Sequence, residues 1–186
     1  IVASKPEELD LLLDRLTVNV TEFFRNREVF DILESTTFPD LIKKNKDLRI
    51  WSAGSSEGRE AYSFVMILKK LMGKDLNRVR ITATDIDDEK MQCGRIGKYK
   101  FMNEKDIDKE LPDWALKMVK RDPLMITVPS DIRRIVNFVH HDLLKEPPLN
   151  KMDMVSCRNL LIYFPKEAQV IAINKFHEAL KDDGIM

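Results

Sequence analysis

The sequence predicts an open, mostly parallel α/β sheet with a small antiparallel β insertion, on three observations. The stretch from Ile50 to Ser63, IWSAGSSEGREAYS, reads as a short apolar strand, a tight turn with glycines at Gly54 and Gly58, and a helix carried by Ala61, Phe64, Val65, Leu68 and Leu71. A second apolar run, Val79 to Thr84, ends at Asp85, 27 residues beyond Gly58. Two such strands joined by a helix of about a dozen residues make a right-handed βαβ unit. Farther on, Met125 to Val128 and Ile135 to Val139 are β runs separated only by the turn-prone PSDIR, which breaks the βαβ rhythm and reads as an antiparallel hairpin.

Composition bounds the rest. The 186 residues suffice for one domain with a sizeable core, and 44% of them are apolar. Lys plus Arg (31) equal Asp plus Glu (31), so a general phosphate-seeking charge is absent and no nucleic-acid partner is expected. Cys93 and Cys157 are too few and too far apart for a disulfide framework or a metal-ligand spacing, which fits a reducing compartment. His140 and His141 are adjacent, so on a strand they point to opposite faces and cannot share an ion; no metal site is expected. No apolar run approaches the roughly 18 residues of a membrane span, and a soluble intracellular protein is expected. The chain opens at Ile1 and stops where Ile185 and Met186 begin a strand, and it is read as a piece of a longer protein.

Taken in order, Ser4 caps a short helix to Leu16, with Pro6 in its first turn and Leu9, Leu12, Leu13 and Leu16 on one face. A second helix is expected to start near Thr21, packing Phe23, Phe24, Phe30, Ile32 and Leu33 inward. Arg25 lies among these aromatics, where a guanidinium can cover a ring and still offer its fork to a carboxylate, or simply snorkel to the surface. The first strand, Arg49 to Ala53, leads into the glycine turn. That turn lets the backbone pass close to a ligand and can present amides to an anion, yet GSSEG matches neither GxGxxG nor GxxxxGK[ST]. Asp85 stands where an open sheet holds the acid that accepts from ribose hydroxyls, which favours a nucleoside site over a plain turn. Asp87 and Asp88 cap the next helix, DDEKMQCGRIG.

The segment from Tyr99 to Ala115 is charged and broken by Pro112, and the hairpin expected after it exposes Arg133 and Arg134 in a solvated turn or toward a partner. Asp142 ends the run after the two histidines, facing either the crevice or solvent. Lys151 to Ser156 is a buried strand that stops at CRNLLIYF, where Cys157, Arg158, Asn159, Tyr163 and Phe164 are positioned to line a crevice. Without a His and acid near it, Cys157 is not read as a nucleophile. Pro165 starts a helix through Leu180 with Val170, Ile173, Phe176 and Leu180 as its stripe.

Five segments, NVTEFFRN, WSAGSSEGREAYS, TATDID, HHDLL and CRNLLIYF, in this order and at these separations, closely resemble the CheR family of chemotaxis methyltransferases. The resemblance spans about Val18 to Met186. It implies an open sheet of the S-adenosylmethionine-dependent methyltransferase type, with residues 1–18 as the remnant of an N-terminal helical region. Residues 19–186 would form the catalytic domain, incomplete at its C-terminus, with an inserted β subdomain at about 120–140. The implied activity is transfer of a methyl group from S-adenosylmethionine to glutamate carboxylates of chemoreceptors, leaving S-adenosylhomocysteine. The alternative is a non-catalytic or acceptor-shifted S-adenosylmethionine-binding signalling module. The implied partners are the cytoplasmic domains of methyl-accepting receptors, met by a cytoplasmic monomer that visits receptor arrays without inserting in the membrane.

Residue by residue, the resemblance implies that Asn19, Thr21 and Arg25 lie near the methyl donor and that Arg25 orients the acceptor carboxylate. Glu60 would bind the methionine end of the cofactor beside Gly54, and Asp85 the ribose. Asp142 and Leu143 would flank the adenine or the methyl donor, Cys157 and Arg158 would line the same pocket, and Tyr163 would stand at the reacting centre. The sequence departs from the family pattern at Glu57, Arg59 and Ala61, where Thr, an acid and Pro are usual. Arg59 therefore brings a positive charge beside the implied methionine site.

Overall fold

A computed structural model describes residues 21–186. The expected helix over Ser4 to Leu16, and Asn19, lie outside the described residues.

Five strands form the main sheet: β1 (Leu48–Ala53), β2 (Val79–Asp85), β6 (Val136–His140), β7 (Met152–Ser156) and β8 (Leu180–Ile185), in the order β6-β2-β1-β7-β8. All neighbouring pairs are parallel. In the centre of the sheet Leu48, Ile50, Trp51, Ser52 and Ala53 are all buried, as both faces of a parallel strand must be when helices cover them. The helix α3 (Arg59–Met72) follows β1, and every residue from Ala61 to Leu68 is buried. It lies between the sheet and the aromatic cluster of α1 (Arg27–Ile32) and α2 (Phe38–Lys44), where Phe30 and Phe38 both pack on Phe64. Burying each such ring stabilises the fold by about 1.5–3 kcal/mol. On the other face Trp51, Phe176 and Ala172 join β1 to the helix Lys166–Ala179.

The small antiparallel sheet is present, but with a different membership from the one the sequence predicts. Its strands are β3 (Lys98–Lys100), β4 (Lys120–Asp122) and β5 (Met125–Thr127), in the order β3-β5-β4. Met125–Thr127 turns back on Lys120–Asp122 across Pro123 and Leu124, not onto the run at 135–139. That run is β6, which pairs in parallel with β2. A short helix, Ser130–Arg133, fills the PSDIR stretch and carries the chain from the insertion back to the main sheet. Alternation in VNFVH, with Val136 and Phe138 buried and Asn137 exposed, suits the edge strand that β6 is.

A second correction concerns the expected helix start at Thr21. Among the described residues the first helix begins only at Arg27, and residues 21–26 are irregular, with Phe24 at φ 49° and Asn26 at φ 61°. Tertiary contacts override the local pattern here: the Phe23 amide donates to Glu110 Oε2 at 2.9 Å and the Phe24 amide to Ser63 Oγ at 3.0 Å. The ring of Phe24 is covered by the guanidinium of Arg27, 5.3 Å from its centroid. No helix among the described residues is long and apolar enough to cross a membrane.

Candidate functional site

The carboxyl ends of β1, β2 and β7 open on a cavity of about 260 Å³. Thr21, Arg25, Gly54, Glu60, Asp85, Arg158 and Tyr163, seven of the residues singled out in the sequence, line it together. The crevice at strand ends is where an open α/β sheet takes its ligand.

Glu60 stands in the first turn of α3 and is the best-held side chain of the cavity. The register of the sheet sets Ser52 of β1 directly beside Ser156 of β7. Both hydroxyls donate to Glu60 Oε1, at 3.1 and 2.9 Å, while Arg158 donates to Oε2 at 3.2 Å. A carboxylate so held keeps a fixed orientation and still has lone pairs for a cationic ligand. Arg158 also donates to the Arg25 carbonyl at 2.7 Å and to Asn26 Oδ1 at 3.1 Å, so one guanidinium ties Glu60 to the segment that carries Arg25.

At the end of β2, Asp85 organises the glycine turn. Its Oδ2 accepts the Ser56 amide at 2.7 Å and its Oδ1 the Asp87 amide at 3.0 Å, which leaves a further lone pair on each oxygen. Ser56 at φ 49°, Gly54 at φ 68° and Gly58 at φ 76° bend the chain back toward α3. A Cβ on Gly54 would stand 2.6 Å from Leu160 Cδ2, and at φ 68° a side chain there would be strained even if Leu160 gave way. The hydroxyls of Ser55 and Ser56 are buried with no hydrogen-bond partner among the described residues, and both residues line the cavity. Asp87 caps the following helix as the sequence predicts, accepting the Lys90 amide at 3.0 Å.

Three expected residues stand elsewhere. Asp142 does not line the cavity: its Oδ1 caps its own turn, accepting the Leu144 and Lys145 amides at 3.0 and 3.1 Å, and its Oδ2 pairs with Lys145 Nζ at 3.2 Å. Desolvation pushes this carboxyl upward, but the bonds from Lys145 and from the two amides hold it below the ordinary range. Leu143 is buried in the cluster around Trp51 and Phe176. Cys157 packs on the same cluster, and burial, reinforced by the charge of Glu60, pushes its thiol up to about 12, far from a nucleophile's value. Arg59 also turns away from the cavity and faces the insertion (see below).

Sequence reasoning missed Ser52 and Ser156, the donors that hold Glu60. The signal was a serine at or next to the end of each of two buried strands, Ser52 in IWSA and Ser156 in MDMVS, which a buried parallel strand carries only when the hydroxyl has a partner.

Residues 19–186 match the family model described as CheR methyltransferase, SAM binding domain, SAM being S-adenosylmethionine. The chain is 34% identical to a chemotaxis protein methyltransferase of Listeria monocytogenes, over 96% of this chain and 66% of that protein. It is likewise 34% identical to one from Borreliella burgdorferi, over 94% and 64% of the two chains. With chemotaxis protein methyltransferase 2 of Pseudomonas aeruginosa it shares 31% identity over 97% and 65%. This chain thus spans just under two thirds of the length of these relatives. It belongs to the CheR methyltransferase family, and the domain it carries is the one that binds S-adenosylmethionine.

Proposed function

We propose that this chain transfers a methyl group from S-adenosylmethionine to glutamate side chains of chemoreceptors, forming methyl esters. The observation that carries the reading is the meeting of Arg25 and Tyr163 with Glu60 and Asp85 around one cavity. The residues fit the cofactor's chemistry. Glu60 offers a fixed carboxylate to the ammonium group of the methionine end, and Asp85 offers two oxygens to the ribose hydroxyls. The unpartnered hydroxyls of Ser55 and Ser56 supply further donors in the turn between them.

When bound, S-adenosylmethionine supplies a methyl group on a sulfonium that needs no further activation. The acceptor glutamate, with an ordinary pKa of about 4.3, is already ionised at neutral pH and needs no general base. What remains for the protein is orientation and exclusion of water. Arg25 would grip the acceptor carboxylate through its fork, and the Tyr163 hydroxyl would donate to one of its oxygens. Tyr163 is 55% exposed and Ile86 and Ile162, at 63% and 71%, stand near it, so an acceptor side chain reaches the cavity past an apolar rim. Opposite charges are neutralised as the methyl moves, and strong solvation of the separate ions slows such a transfer; a rim that sheds water on docking favours it. The partner in this reading is the cytoplasmic domain of a methyl-accepting receptor, reached from the cytoplasm by transient visits to receptor arrays.

The test is incubation with labelled S-adenosylmethionine and receptor cytoplasmic fragments. Base-labile label on the receptor is expected. Base-stable label would move the acceptor to another group, and cofactor binding with no label would make the chain a binding module; either overturns the proposal.

A further inference from the structure

We propose that Arg59 and Glu110 form a positioning pair that holds the Thr21–Arg25 segment against the cavity, an inference that rests on the role given to Arg25 above. Arg59 is the first residue of α3, where a cation opposes the helix dipole and needs compensation. Its side chain is only 13% exposed. The guanidinium lies over three rings, 5.6 Å from the centroid of Phe23, 5.0 Å from Tyr99 and 5.3 Å from Phe101. Its Nε donates to Glu57 at 3.0 Å, and one terminal nitrogen donates to both carboxylate oxygens of Glu110, at 3.2 and 3.1 Å.

Glu110 ends the helix Glu104–Glu110 of the insertion and is itself only 12% exposed. It touches the chain on both sides of Arg25. Its Oε2 accepts the Phe23 amide at 2.9 Å, and its backbone carbonyl accepts from Arg27 at 3.4 Å. Between these two anchors Phe24 and Asn26 hold positive φ, a conformation that costs a side-chain-bearing residue energy and persists only where surrounding contacts fix it. Ser63 takes the Phe24 amide and Arg158 the Arg25 carbonyl, from the cavity side. Glu110 closes the bracket from the insertion side, and Arg59 aims Glu110. A loss of this bracket would let Arg25 shift, and a displacement of about 1 Å at a reacting group can lower turnover about a hundredfold.

The experiment compares Glu110→Ala, Glu110→Gln and the charge swap R59E/E110R by amide hydrogen exchange, thermal melting and methyl transfer. In Glu110→Ala the Phe23 amide is expected to exchange at least about tenfold faster while the core amides of Trp51 and Ala83 do not change. Turnover should fall about 10- to 100-fold, with a much smaller change in S-adenosylhomocysteine affinity. Glu110→Gln keeps the volume and a carbonyl oxygen, and should recover Phe23 protection. The swap re-forms an ion pair between positions 59 and 110 but gives up the ring contacts and the bond to Glu57, so the melting temperature recovers only in part; an arginine at 110 cannot accept the Phe23 amide, so exchange stays fast and transfer stays slow. A swap that restores Phe23 protection and transfer, a Gln variant that fails to protect Phe23, or exchange at Phe23 that moves only together with Trp51 and Ala83 would each overturn the pair's role. Exchange needs no acceptor, so a wild-type chain that makes no methyl ester counts against the function proposed above and leaves these arms to decide the bracket.

Discussion

Glu60→Gln isolates the charge that the cavity presents to the cofactor. The substitution keeps Oε1, so the hydroxyls of Ser52 and Ser156, at 3.1 and 2.9 Å, retain their acceptor and the sheet register is undisturbed. It replaces Oε2 by an amide nitrogen facing the Arg158 donor that now lies 3.2 Å away. Arg158 stays tethered through the Arg25 carbonyl and Asn26, so the wall of the cavity is retained. What is lost for the ligand is one charge-assisted contact to its ammonium group, worth about 1.5–3 kcal/mol. That corresponds to a dissociation constant raised about 10- to 100-fold. Calorimetric titration with S-adenosylhomocysteine reads it directly. Affinity within twofold of wild type, in a protein that melts normally, would refute the assignment of Glu60 to the methionine end. Glu60→Ala is a poorer probe because it strips two buried hydroxyls of their acceptor at once.

Three further outcomes follow from the same geometry. Arg25→Ala should lower turnover by at least about a hundredfold while S-adenosylhomocysteine affinity changes far less, as expected for a group that orients the acceptor; calorimetry showing lost cofactor affinity with acceptor binding unchanged would contradict that role. Gly58→Ala should destabilise the fold by about 1–3 kcal/mol in denaturant melts, because a new Cβ would meet the Phe138 ring at 2.4 Å on a backbone held at φ 76°. In thiol labelling at pH 8, exposed Cys93 should react first. Cys157, its thiol pushed up to about 12, holds roughly one thiolate in ten thousand at that labelling pH and should label far more slowly, speeding up as the pH is raised.

The βαβ core was legible because apolar runs of strand and helix length alternate cleanly from Arg49 to Asp85, and a buried parallel sheet leaves that mark on sequence. The strand at Val136–His140 was legible as a strand but not in its partner. Neighbouring β runs look like a hairpin until a short helix such as Ser130–Arg133 is known to intervene. The segment before Arg27 misled in the opposite sense: two phenylalanines after Thr21 imitate a helix face, and only long-range contacts to Glu110 and Ser63 hold the left-handed turns they occupy. In the site, Asp85 stands at a strand end that its spacing from the glycine turn identifies, whereas Glu60 is pointed to by the family resemblance. The serines that hold Glu60 are marked by neither, because Ser156 is far along the chain from Ser52 and they become neighbours only through sheet register. Asp142 and Cys157 show the converse: adjacency to a strand end does not aim a side chain, and local capping or packing turned both away. Arg59 and Glu60 are neighbours that face different ways, since successive residues of a helix do not share a side.

Mapping by mass spectrometry, after reaction of the wild-type chain with S-adenosylmethionine and receptor cytoplasmic fragments, addresses the central claim most directly. The account predicts methyl esters on receptor glutamates that vanish on mild alkaline treatment, in amounts that collapse with Arg25→Ala. Methyl groups on nitrogen or sulfur, or unmodified receptors beside a chain that binds S-adenosylhomocysteine tightly, would contradict it.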